Sequence, residues 1–366
     1  MTSLFFNPAV TRNHLGVGIY DRAGAEALRG LFASSPSFAP TPLRRLERMA
    51  ESLGVGEIWA KDERHRWGLG SFKSLGGAYA VVSLAAEALA VSPADIFAGS
   101  APKASGMTVA TATAGNHGRA VAFGAKLAGA RAVIFVYGDV PKTQVAAIAG
   151  LGAEIVTVAG DYEAACARAE AECRTHGWIM VSDVAGEGYT DIPERIMRGY
   201  SVLAAEALDE LPAPPTHLFL QAGVGGMATP VAALFAKAIS PAPIVTVVEA
   251  ASVPCLMESA RNNRFTRTES SGPTNLNRLD CPSPSSTTWP VLRDLASAFV
   301  GVENDVAREA VRLLAEGNMM TTPTGAAGLA GLLTLRAEPG AFERLGLGRQ
   351  SRVLIVVTEQ AIADEG

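Results

Sequence analysis

Between residues 107 and 181 the chain alternates short apolar runs with helix-length segments, and that alternation prescribes a parallel sheet with crossover helices. The spacing predicts strands at 107–113, 132–136, 154–158 and 178–181, separated by helices at 116–128, 142–151 and 162–176. Parallel strands cannot be joined by tight turns, so each helix must cross a face of the sheet. The pattern resumes with a helix at 192–208, a strand at 217–221, a helix at 227–239 and a strand at 244–249. Helices from Asn304 or Asp305 to Glu316 and at 326–335 precede a last strand at 352–357. Upstream, 44–53 has helical spacing, 57–61 reads as a short strand, and 71–89 is a helix rich in Ala, Leu and Val. At 366 residues the chain exceeds one simple core. The expected class is therefore α/β, with two open parallel-sheet lobes flanked by helices.

Composition narrows the partners. A net charge of -5 argues against nucleic acid or an anionic membrane surface. No apolar run reaches the ~18 residues that a transmembrane helix needs. The first residues lack a basic, then apolar, leader pattern, so a cytoplasmic location is expected. The four cysteines (Cys166, Cys173, Cys255, Cys281) have no Cys-x-x-Cys spacing and the five histidines are scattered, so no metal site is expected. Residues 261–290 are rich in Ser, Thr, Pro and Asn and have little periodicity. A loop of that length is an active-site cover or a disordered segment.

Three segments carry candidate chemistry. Lys73 stands in Gly-Ser-Phe-Lys-Ser-Leu-Gly-Gly at the mouth of an apolar helix. A desolvated amine loses its proton more easily and attacks carbonyls, although an exposed lysine at a helix start is the commoner case. Thr113-Ala114-Gly115-Asn116-His117 forms a strand-to-helix turn whose converging N–H groups can hold a carboxylate. The Asn116 amide can there meet a phenolic oxygen; an ordinary turn with an asparagine cap competes. Gly223-Val224-Gly225-Gly226-Met227 follows a strand and opens a helix, which suits a phosphate. The same loop fits a dinucleotide fingerprint with Glu249 as the ribose-binding acid, so an NAD-dependent dehydrogenase is a second reading. Thr358, after the last strand, can meet a pyridine nitrogen or be a surface threonine after an edge strand.

With those residues in view, the chain resembles the fold-type II pyridoxal phosphate enzymes, from about Pro42 to Thr358. Within that group it is most similar to the diaminopropionate ammonia-lyases. Four segments carry the likeness: 112–122 around Gly115-Asn116-His117, 187–200 ending Met197-Arg198-Gly199-Tyr200, 221–225, and 279–293. The resemblance implies pyridoxal 5'-phosphate as cofactor, borne on Lys73. It implies that Asn116 and the loop from Gly223 to Met227 bind this cofactor, with Thr358 at the pyridine nitrogen. Thr113, Ala114, Gly115, Asn116 and His117 would hold the substrate carboxylate. It also implies a catalytic acid at Asp183, which could equally cap the turn at 182–188, and a disulfide between Cys255 and Cys281. A homodimer is expected, with 1–104 and 185–366 forming a large cofactor-binding domain and 105–184 a small substrate-closing one.

One departure bears on mechanism. The residue before Gly115 is Ala114, where these lyases have an aspartate and related racemases a serine on the cofactor face opposite the lysine. A methyl group transfers no proton, so Lys73 is left as the base at Cα, on one face. The chemistry implied is β-elimination from a β-substituted L-amino acid such as L-2,3-diaminopropionate, giving pyruvate and ammonia. An L-serine or threonine dehydratase, a β-replacement synthase and a non-catalytic binding protein are the alternatives within this scaffold.

Overall fold

The computed structural model describes residues 3–11, 19–113, 115–138 and 140–361, so Ala114 lies outside the described residues. The chain divides into two compact units: Met1–Gly24, Thr41–His65 and Leu203–Gly366 in the first, Ala25–Pro40 and Arg66–Val202 in the second. The expected small domain, 105–184, falls inside the second unit, which also takes in the helix Lys73–Leu89. In chain order the strands are β1 (Leu4–Phe6), β2 (Leu43–Arg45), β3 (Glu57–Asp62), β4 (Thr108–Ala112), β5 (Arg131–Tyr137), β6 (Glu154–Val158), β7 (Ile179–Met180), β8 (His217–Gln221), β9 (Ile244–Ala250), β10 (Ala296–Val302) and β11 (Arg352–Val357).

In the first unit the described strands form one sheet in the order β1-β10-β9-β8-β11-β3-β2. The five inner strands run parallel, and antiparallel β1 and β2 close the two edges. β8 and β10 are buried along their whole length, as strands covered on both faces must be. Helical spacing at 44–53 misreads its first residues: Leu43–Arg45 is a strand, and the helix is Glu47–Leu53. The open edge of β3 takes Arg44 opposite Ala60, and its guanidinium lies 2.7 Å from Asp62. β11 is central, between β8 and β3, and Thr358 beyond it is buried, so the surface-threonine reading is removed.

In the second unit the described sheet runs β6-β5-β4-β7, all parallel. The helices Asn116–Ala128 and Tyr162–His176 have the bounds that periodicity predicts. The helix Lys73–Leu89 is buried on nearly every face from Ser74 to Ala86. It packs against Asn116–Ala128 closely enough that a Cβ on Gly77 would lie 2.6 Å from that of Ala120. That packing sets the start of one helix, Lys73, near the start of the other, His117.

Candidate active site

Lys73 is the first residue of its helix, and its side chain is 26% exposed. Its ammonium pairs with the carboxylate of Asp183, which is reached from the loop after β7. Burial works against the charge of Asp183, but Lys73 and His117 together hold its carboxyl well below the usual carboxylate range. The turn that Asp183 could have capped is held by other groups. Ser182 Oγ accepts from the Val184 N–H, and the Tyr189 hydroxyl accepts from the Ser182 N–H at 2.9 Å.

His117 is buried in the first turn of its helix. Its Nε2 lies 2.8 Å from the carbonyl of Val181, which can only accept, so Nε2 carries the proton. Nδ1 is then an acceptor without a protein partner, 3.9 Å from Asp183 Oδ2. Burial pushes the imidazole below its usual range, against the pull of Asp183. In the same turn the Thr113 hydroxyl accepts from the N–H groups of Gly115 and Gly118, at 3.0 and 3.3 Å. Arg119 donates to Asn116 Oδ1, leaving Nδ2 as the donor end of that amide. Lys73, Thr113, Asn116, His117 and Asp183 thus all belong to one unit; an ion pair joins Lys73 to Asp183, and His117 Nδ1 stands 3.9 Å from the same carboxylate.

The glycine loop belongs to the first unit, between β8 and the helix Ala228–Ala238. Gly225 takes the left-handed backbone that glycine tolerates, at φ 96°, and a Cβ there would come within 2.8 Å of Thr288. Among the described residues, the N–H groups of Val224, Gly225, Gly226 and Met227 meet no protein acceptor. A side chain on Gly226 would touch nothing within 4 Å, so the loop is open there. Two buried polar atoms beside it also lack partners: Thr229 Oγ1 in the first helical turn and Gln221 Oε1 at the end of β8. Undirected donors at the positive end of a helix suit the phosphate of pyridoxal phosphate. The residues present therefore fit that group.

Several contributors to this region have no sequence signal as single residues. The Gln221 amide donates to the carbonyls of Val356 at 3.0 Å and Thr324 at 3.2 Å, tying the loop to the end of β11 near Thr358. Ser285 and Thr288, from the segment expected to be a cover, donate to the Val224 carbonyl at 3.1 and 2.5 Å. Arg278 of that segment lies 3.0 Å from the buried Glu359 carboxylate. Cys255 and Cys281 are not joined by a disulfide, and both lie at Gly223: Cys255 Sγ donates to its carbonyl, and a Cβ on this glycine would come within 2.8 Å of Cys281 Sγ. Glu249 accepts from the N–H groups of Leu256 and Met257, both at 2.7 Å. Its carboxylate is thus spent on the helix Cys255–Arg261, which removes the acid required by the dehydrogenase reading.

Residues 34–359 match the family described as pyridoxal-phosphate dependent enzyme. The chain belongs to that family, and its cofactor is pyridoxal 5'-phosphate. It is 34% identical over 355 residues to the diaminopropionate ammonia-lyase of Escherichia coli K12, covering 93% of this chain and 89% of the relative. The crystal structure of the E. coli enzyme with an aminoacrylate-PLP azomethine reaction intermediate superposes with a TM-score of 0.88 at 32% identity, covering 99% of this chain and 94% of that one. The L-threonine ammonia-lyase of Geobacter sulfurreducens is 27% identical over 81% of this chain and 67% of its own. Maize serine racemase shares the fold, with a TM-score of 0.78 at 22% identity over 94% of each chain.

Proposed function

We propose that this chain is a pyridoxal 5'-phosphate-dependent ammonia-lyase that eliminates the β-amino group of L-2,3-diaminopropionate or a close analogue, yielding pyruvate and ammonia. The observation that carries the reading is one cluster: the Lys73 amine, the charged Asp183 and the unpartnered acceptor Nδ1 of His117. When bound, the cofactor supplies the electron sink that makes the Cα proton labile. Lys73 would hold the cofactor through its amine, and that amine, when free, would accept the Cα proton. The N–H groups of Gly223, Val224, Gly225, Gly226 and Met227 would hold the phosphate, Asn116 the phenolic oxygen and Thr358 the pyridine nitrogen. Thr113, Ala114, Gly115, Asn116 and His117 would hold the substrate carboxylate.

Asp183 decides between leaving groups. Held below the usual carboxylate range, it is charged at neutral pH and serves a departing ammonium as a counter-ion rather than as a proton donor. Two acceptors 3.9 Å apart, Asp183 Oδ2 and His117 Nδ1, suit an ammonium, which only donates, better than a hydroxyl. In this reading 1–104 with 185–366 act as the cofactor-binding domain and 105–184 as the part that closes on substrate. The working form is a cytoplasmic homodimer.

Borohydride reduction of the purified enzyme followed by peptide mapping, together with ammonia release from a leaving-group panel, tests the proposal. A pyridoxyl adduct on Lys73 and a kcat/KM for L-2,3-diaminopropionate at least ~100-fold above those for L-serine and L-threonine are expected. An unlabelled Lys73, or a preference for the hydroxy amino acids, overturns it.

A further inference from the structure

Among the described residues of the second unit, Tyr200 carries a hydroxyl that is buried without a partner. It is 1% exposed, and no protein group hydrogen-bonds its oxygen. The chain makes room for this ring deliberately. A Cβ on Gly76, one turn after Lys73, would come within 2.5 Å of Tyr200 Cε1. A Cβ on Gly199 would come within 2.3 Å of the Leu75 carbonyl, so both helices carry glycine where they cross. The ring packs on Phe72, the residue before Lys73, with centroids 4.8 Å apart. A leucine or phenylalanine would fill the same space without burying a hydroxyl.

The charged groups that act on this hydroxyl are Lys73, from the helix Lys73–Leu89, and Asp183, from the loop after β7. His117, on the helix Asn116–Ala128, stands behind Asp183. Burial pushes the phenol above its ordinary range, so it is neutral, able to donate one hydrogen bond and accept another. Lys73 is paired with Asp183 in this structure. An amine that leaves a carboxylate to take a Cα proton needs a new partner, or it swings free.

We infer that Tyr200 is a positioning residue for the catalytic amine: its hydroxyl takes a hydrogen bond with Lys73 when that amine leaves Asp183. The inference rests on the lyase reading above for the role of Lys73, and on the packing alone for the orphaned hydroxyl. Tyr200→Phe keeps the ring and removes only the oxygen. Its cofactor-free form is expected to melt at or above the wild-type Tm, because a buried group without a partner is lost. Its kcat is expected to fall about tenfold with KM little changed, and the pH limb of kcat, which reports the released Lys73 amine in the substrate complex, should move. Borohydride labelling of Lys73 in the variant checks that cofactor loading is intact.

A lowered Tm with an unmoved pH limb would mean that the hydroxyl only bonds a structural water, and overturns the inference. So does a variant whose kcat and pH profile match the wild type. A wild-type enzyme that fails to label at Lys73 defeats the lyase reading instead, and the Tm comparison still reports whether the hydroxyl is orphaned.

Discussion

Lys61 and Lys73 stand twelve positions apart, and the folded chain treats them in opposite ways. Lys61, on β3, is fully buried with all three of its donors answered: Glu206 at 2.9 Å, Glu210 at 3.0 Å and the Thr41 carbonyl at 2.5 Å. Lys73 is a quarter exposed; near its pair with Asp183 stands an acceptor that nothing answers, His117 Nδ1, and the ring of Tyr200, whose hydroxyl nothing answers, packs on the preceding Phe72. A buried charge surrounded by matched partners holds a fold together; a cluster with unmatched polar atoms is built for something that arrives later. Burial alone would rank Lys61 as the more unusual lysine, so satisfaction is the criterion that separates structure from chemistry.

Exchanging each lysine in turn gives the largest effects and breaks the comparison if they come out alike. Lys73→Ala should lower ammonia release by more than ~10³-fold and abolish borohydride labelling, with a smaller shift in the urea midpoint. Lys61→Met removes the Lys61 cation from the buried Glu206 and should cost ~3–5 kcal/mol of stability, read from urea unfolding. Whatever fraction of that variant stays folded should still label at Lys73. Equal losses of labelling in both variants would show that the contrast in polar satisfaction says nothing about function.

Asp183→Asn comes next. The amide keeps the shape but loses the charge, so elimination from L-2,3-diaminopropionate should fall by ~10²-fold, while β-chloro-L-alanine, whose leaving group needs no counter-ion, should lose far less. Stability offers a second reading with a definite sign. Because folding lowers the pKa of Asp183, its contribution is complete above the unfolded value of about 4 and is lost as pH falls through the folded one. The stability difference between wild type and Asp183→Asn should therefore be flat at neutral pH and shrink only in acid. A difference that shrinks near pH 6 to 7 instead would point to His117 as the group that matters.

The sequence made the lobes of this molecule legible and left their polar wiring dark. The helix Tyr162–His176 could be bounded by its spacing, and the structure adds a local reason for its start: the Asp161 side chain accepts from the Ala164 N–H at 2.9 Å. Lys73, Asn116, His117 and the glycine loop could be picked out because their chemistry is written in short contiguous segments. β10 escaped notice because its sequence, Ala-Ser-Ala-Phe-Val-Gly-Val, is mostly small residues and follows directly on the helix Trp289–Leu295. Arg44 and Arg45 were misjudged because the edge they pair with, β3, lies more than ten residues on. Tyr200, Gln221 and the Arg278–Glu359 pair depend on which elements cross, and no local pattern encodes a crossing.

Ala114 sharpens the comparison from the sequence side. In the function proposed above, Lys73 is the base and a methyl group stands where these lyases have an aspartate, which would confine proton removal to one face of Cα. Initial rates on the two enantiomers of 2,3-diaminopropionate should favour L by at least ~100-fold, and Ala114→Asp should raise the D-rate specifically. Comparable D and L rates in the wild type would place a second base in the site.

The smallest expected effect concerns the two thiols at Gly223. Burial, with Glu249 beside it, pushes the Cys255 thiol far up, so it is rarely a thiolate, whereas Cys281 is only partly buried. Oxidation should therefore begin at Cys281 and be slow, closing the expected Cys255–Cys281 bond beside one loop glycine, Gly223. A bond there stiffens the loop without adding a contact to the phosphate, so cofactor release should slow by only about two- to fivefold on oxidation. Cys281→Ser should remove that difference and leave kcat within twofold of wild type. Non-reducing peptide mapping before and after diamide treatment, alongside the rate of cofactor loss on dilution, measures both. An oxidised enzyme that sheds its cofactor faster than the reduced one would mean that the thiols hold the loop open by their separation, and that closing them distorts the cradle around Gly225.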